Sequence, residues 1–128
     1  LHMMGDCFIN PSSGEGWCRP MAEAMLYGNP VISGETGGVA EIVPNYYKVE
    51  SKEEKATSQT WIPWYQDYMK WKVLDEKDLI KNMLEVYENY ETAKGVAKRA
   101  QDFVIKYFSL QEIGVKMITR LSEIYEEI

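Results

Sequence analysis

At 128 residues, with 14 Lys and Arg against 20 Asp and Glu, the chain is one domain at most and carries a formal net charge of -6. That charge argues against a broad attraction to nucleic acid or an anionic membrane, so any phosphate site must be local. No apolar run reaches the roughly 20 residues of a membrane span, and two cysteines with one histidine make neither a disulfide framework nor a zinc set.

The sequence therefore predicts a soluble, cytosolic chain with Cys7 and Cys18 reduced and no metal site. Its opening, "LHMM", meets the apolar run "CFIN" (7–10) within a few residues and without an ordinary leader, as in a chain cut from something larger. His2 before Met reads as a cloning scar or a surface residue rather than a catalytic base.

Residues 7–10 suit a buried strand, since an apolar run there gives way to the turn-rich "PSSG". Pro20 can open a helix because its missing N–H has no intrahelical partner at the first position, and "MAEAML" continues it. Gly28 ends that helix in the left-handed conformation, and "PVIS" (30–33) reads as a second buried strand. Strand, helix, strand implies parallel pairing. The loop 12–20 and the glycine loop "GETGG" (34–38) then share the carboxyl edge of the sheet, where ligands bind in such folds.

Residues 45–71 read as irregular, with room for one hairpin, although "YYKV" (46–49) has strand character and residues 51–60 are polar. The aromatics Trp61, Trp64, Tyr65, Tyr68 and Trp71, with Pro63, could be a stacking platform for sugars or bases. The plainer role, anchoring a long insertion to the core, is favoured. From Asp75, a cap for the next helix, Leu79, Ile80, Met83, Leu84 and Tyr87 form one stripe. Val96, Ala97, Ala100, Phe103, Val104 and Tyr107 form a second. Ser109 with Glu112 matches a capping box ahead of a third stripe, Leu110, Ile113, Met117, Leu121 and Ile124. Three stripes predict a common core.

The sharpest local signal is a pair of glutamates. Glu15 lies in the loop and Glu23 about one turn inside the helix, so their carboxylates can line one cleft at two depths. That placement suits gripping hydroxyls at two points of an extended ligand rather than sharing a proton. Between them, the N–H groups and positive dipole end of the helix start suit a phosphate. Hydroxyl, phosphate, hydroxyl describes a nucleotide sugar.

The stretch "EGWCRPMAEAMLYGNPVIS", followed by "GG" and Glu41, resembles the E-x7-E signature region of family 4 retaining glycosyltransferases, which have the two-domain GT-B fold. "DCFINPS" and "GNPVI" are similar to that family's strands, "TGGVAEIV" to its glycine loop and short helix, and "LDEKDLIKNMLEVYEN" with "YFSLQEIGVKMITRL" to its closing helices. The resemblance implies an α/β fold: a partial Rossmann-like parallel sheet, part of a GT-B C-terminal domain, with a C-terminal helical tail. Residues 1–50 would form the donor-site core, 51–74 an aromatic-rich insertion and 75–128 the tail.

It implies that Glu15 contacts the donor sugar near the reacting carbon and supports positive charge developing there, and that Glu23 binds the ribose hydroxyls. Gly16, Trp17, Cys18 and Arg19 would cradle sugar and phosphate largely through their backbone, with Thr36, Gly37 and Gly38 on the nucleotide side. The donor is a substrate, and no cofactor or metal is implied. Where the family most often has Gly-Phe-Gly-Leu-Pro, this chain has Gly16-Trp17-Cys18-Arg19-Pro20. Arg19 could pair with the diphosphate, stay solvated or bridge a neighbouring acid, and Cys18 is a small packing group before it is a reactive thiol.

The family's N-terminal acceptor domain, and the earlier Arg and Lys for the diphosphate, are expected to lie outside this chain. The parent protein would then be a hexosyltransferase, peripheral at a membrane or cytosolic, acting on a saccharide, lipid or protein acceptor. This chain alone would bind nucleotide weakly and transfer nothing unless completed by the missing domain or by self-association. The alternatives are a catalytically dead assembly module and another GT-B enzyme, either a nucleotide-sugar epimerase, against which the lone His2 argues, or a phosphorylase.

Overall fold

The computed structural model describes residues 2–42, 46–58 and 61–127. Leu1, Val43, Asn45 and Thr60, which enter the expectations above, lie outside the described residues. Three short strands, β1 (Phe8–Asn10), β2 (Val31–Gly34) and β3 (Tyr47–Val49), form a sheet in the order β1-β2-β3. Both pairings are parallel, with Ile9 opposite Ile32 and Ser33 opposite Lys48.

The crossover from β1 to β2 is α1 (Arg19–Leu26), so the strand-helix-strand reading holds, with the helix beginning one residue before Pro20. Its end follows the expected chemistry. Gly28 has φ 77, its N–H donates to Met25 O at 2.9 Å, and Asn29 N–H reaches Ala24 O at 3.1 Å. A left-handed residue there lets the chain reverse while satisfying the last carbonyls. Gln101 Nε2 adds a donor to Leu26 O at 2.7 Å, tying the same helix end to α3 (Tyr90–Phe108).

Successive residues of β2 serve opposite faces, as the strand period requires. Val31 joins Met21, Met25, Ala100 and Val104 in a core between the sheet, α1 and α3. Ile32 joins Val49, Val86 and Ala93 on the other face, beneath α2 (Glu76–Glu88) and the start of α3. A parallel sheet covered on both sides needs such continuous burial, and all four residues of β2 are buried.

His2 is part of this fold. Its side chain is only 16% exposed, its ring lies 5.6 Å from Phe8 and 6.2 Å from Tyr27, and its carbonyl accepts from Asn29 Nδ2 at 2.7 Å. The expectation of a surface residue is corrected.

The described residues 46–58 and 61–71 are more regular than the sequence predicts, and the one hairpin allowed there is present. "YKV" is the third parallel strand, and beyond it β4 (Ser51–Lys55) and β5 (Lys70–Leu74) pair antiparallel, Ser51 opposite Leu74 and Lys55 opposite Lys70. Most of that hairpin is exposed, so "SKEEK" carries no apolar alternation by which a strand is recognised.

Asp75 caps α2 by accepting from Asp78 N–H at 2.9 Å, and Ser109 caps α4 (Leu110–Glu126) by accepting from Glu112 N–H at 3.3 Å. The common core of three stripes is overturned, however. α3 buries Ala93, Ala97, Ala100 and Val104, α2 buries Val86 alone, and α4 buries nothing. In α2 the sheet is met by Leu79, Val86 and the following Tyr90, leaving Ile80, Met83, Leu84 and Tyr87 exposed. No helix among the described residues is long and apolar enough to cross a membrane.

Candidate functional site

The loops leaving the carboxyl ends of β1 and β2 touch backbone to backbone. Gly38 N–H donates to Gly16 O at 2.8 Å. A methyl group at Gly37 would collide with the carbonyl oxygen of Glu15, and one at Gly38 with that of Gly16. Gly37 also has φ 54, which a side chain would strain. Thr36 is buried, and its hydroxyl donates to Ser12 O at 3.4 Å. Glu15, Gly16, Thr36, Gly37 and Gly38 are thus brought together, through close approaches that require glycine at 37 and 38.

Beneath them sits Asn10, a buried residue that the sequence reading placed only at the end of a strand. Its Nδ2 lies 3.3 Å from Ser33 Oγ and 3.4 Å from Cys18 Sγ, and its Oδ1 accepts from Ser12 N–H at 3.3 Å. One amide therefore joins both strands, the loop and the helix start. The available signal was a polar residue closing an apolar run, where a buried amide must find partners.

Cys18 is the N-cap of α1 with φ 56 and ψ 62, a left-handed conformation that costs an ordinary side chain roughly 1–2 kcal/mol. A glycine would adopt that conformation without the cost. The Cys18 thiol points inward, and burial raises its pKa, aided by the negative charge of Glu15 and opposed by a hydrogen bond from the Met21 backbone. Burial likewise pushes the Cys7 thiol up to about 11. Neither thiol has the depressed pKa of a reactive cysteine.

The helix start offers fewer donors than expected. Met21 and Ala22 N–H groups both donate to Cys18 O, at 3.0 and 3.3 Å, and Pro20 has none. The Arg19 N–H and the loop amides are what an anion would meet. Arg19 itself bridges an acid: its Nε donates to Glu23 Oε1 at 3.0 Å, while Glu23 Oε2 lies 3.7 Å from His2 Nε2. Glu23 stays 44% exposed. Glu15 is half-buried, and its side chain makes no hydrogen bond or ion pair among the described residues, so its oxygens can accept from a ligand. The Trp17 ring turns away to pack 5.0 Å from Phe108, which leaves the Trp17 backbone, not the indole, to the cleft.

The β2 loop is braced from the outside by residues the sequence reading missed. Lys48 Nζ lies 2.6 Å from Glu35 Oε2, and Lys72 Nζ donates to Glu35 O at 2.8 Å. The Lys48 hydrogen bond and charge hold the Glu35 carboxyl below its usual pKa. A separate apolar cavity of about 480 Å³, lined by Cys7, Ile9, Ile32, Met83, Val86 and Tyr87 among others, contains none of the expected site residues.

Compared with known proteins, residues 1–103 match the family described as Glycosyl transferases group 1. No curated protein matches the chain.

Proposed function

The chain belongs to the family Glycosyl transferases group 1, and from that premise we propose that it supplies the donor-binding part of a retaining, family 4 transferase. The donor is a nucleotide sugar. Glu15 accepts from sugar hydroxyls near the reacting carbon and offsets positive charge developing on the ring. Glu23 takes the ribose hydroxyls, the loop amides and Arg19 take phosphate, and the Thr36–Gly38 side flanks the nucleotide. No metal is needed for these contacts. Sugar is passed to an acceptor held by a further domain, or by a second copy of this chain, so the chain alone binds weakly and does not transfer.

The observation that carries the reading is the Gly38 to Gly16 contact, since it holds Glu15 at the shared loop edge, where its carboxylate has no hydrogen-bond or ion-pair partner among the described residues. For Arg19 to reach a phosphate it must release Glu23, an exchange made cheap by their exposure. Donor binding then frees Glu23 for ribose as it occupies Arg19.

Thermal unfolding in the presence of UDP-, GDP- and ADP-sugars tests this. One base should raise the midpoint, because a ligand at 100 times its Kd adds about 2.7 kcal/mol. Glu23→Gln should abolish the rise. A folded sample that none of them stabilises overturns the proposal and favours the second reading, an assembly module, for which the unburied apolar stripe of α4 speaks.

A further inference from the structure

The β4–β5 hairpin ends in an aromatic tip that the donor site does not use. Trp61 is 91% exposed, Trp64 74% and Tyr68 78%, so these three do not anchor the insertion to the core as expected. Tyr65 and Trp71 do pack, edge to face at 5.0 Å, within the hairpin.

The tip is nonetheless built. Tyr65 N–H donates to Ile62 O and Met69 N–H to Gln66 O, at 3.2 and 2.9 Å, giving two successive turns. Thr57 Oγ1 donates to Asp67 Oδ1 at 2.9 Å, and Ala56 N–H closes onto Met69 O at 2.9 Å. Three large rings held in water by an ordered scaffold lack a core reason to be there.

Two observations choose the partner. The hairpin is rooted at the donor edge: Leu74 packs on Gly34, and Lys72 bonds to the Glu35 carbonyl, next to Thr36. Its charge is nearly balanced, four lysines against three acids in residues 51–74, with Lys52, Lys55 and Lys70 paired to Glu54, Asp67 and Glu53. Balanced charge does not select a polyanion. An uncharged ligand with one apolar and one hydroxylated side fits better, because the C–H face of a pyranose lies against the negative face of an indole while its hydroxyls stay in water.

We propose that Trp61, Trp64 and Tyr68 form a stacking surface for a neutral saccharide, a stretch of the acceptor remote from the reacting end that the further domain holds. The acceptor role rests on the transferase reading; the saccharide surface does not. Isothermal titration of the full chain with cellohexaose, maltohexaose and chitohexaose tests it, beside flotation with phosphatidylcholine vesicles. At least one saccharide should bind saturably. Trp61→Ala and Trp64→Ala should each weaken that binding by about tenfold, with unchanged unfolding midpoints, whereas Tyr125→Ala on α4 should not.

No saturable binding to any of the three, or tip variants that bind like wild type, overturns the surface. So does vesicle association that Trp61→Ala abolishes while saccharides have no effect. The nucleotide-sugar thermal shift, read on the same proteins, separates the two failures. If it is absent while saccharide binding persists, the transferase reading falls and the saccharide surface stands.

Discussion

The loop pair at the donor edge and the last helix follow opposite rules. Where Gly37 and Gly38 lie against Glu15 and Gly16, two backbones meet so closely that a methyl group on either of the later glycines would collide, and the segment is fixed by what those residues lack. α4 has a regular apolar stripe, yet Leu110, Met117 and Leu121 are 89%, 60% and 63% exposed. A glycine contact specifies its partner by shape. An apolar stripe specifies only that something should cover it, so two equally visible sequence patterns carry very different amounts of structural information.

Gly38→Ala is the strongest way to break this contrast. The added carbon meets a carbonyl oxygen rather than a flexible side chain, so the loops must part, at an expected cost of about 3 kcal/mol. Urea unfolding would measure it. A loss under 0.5 kcal/mol would mean that the loops separate freely and do not define the site. Asn10→Ala follows, at about 2 kcal/mol, because Asn10 bonds to Ser33, Cys18 and the Ser12 amide at once. Asn10→Asp should recover little of it, since a carboxylate cannot donate to Ser33 or Cys18.

The same contrast accounts for what the sequence disclosed. Strand β2, the Pro20 to Gly28 helix and the meeting of two glycine loops were legible, because each rests on local backbone chemistry: a missing N–H, a positive φ, a run buried on both faces. β3 and the hairpin were legible only in part, as strand character in "YYKV" and room for one hairpin, since "YKV" is too short to show a period and "SKEEK" faces water. For the candidate site the sequence offers a list of positions but not their contacts. Arg19 was left with three possible roles, and its bond to Glu23 became visible only once the helix was in place. Asn10 reaches Ser33, and Lys48 and Lys72 reach Glu35, across 13 to 37 residues of sequence, distances over which composition and periodicity say nothing.

Arg19→Ala sharpens the comparison within the site. Its pair with Glu23 is exposed, so stability should move by no more than about 0.5 kcal/mol. If Arg19 exchanges Glu23 for phosphate, nucleotide-sugar affinity should fall by about tenfold, as for one charge-assisted contact. Tighter binding would instead show that Arg19 only screens Glu23 from the ligand.

The smallest effect belongs to the tail. Leu121→Ala removes a large apolar side chain, which in a packed core costs 2–5 kcal/mol, but Leu121 is 63% exposed and should cost no more than about 0.5 kcal/mol here. Val104→Ala on α3, in the same folded chain, is the internal reference: Val104 is 3% exposed and packed against α1, so about 1–2 kcal/mol is expected although fewer atoms are lost. The ordering of these two variants, measured by urea unfolding across protein concentrations, reads the environment rather than the residue. A Leu121→Ala cost above that of Val104→Ala, growing with concentration, would show that the stripe of α4 is covered by another copy of the chain, because only an intermolecular contact makes apparent stability depend on concentration.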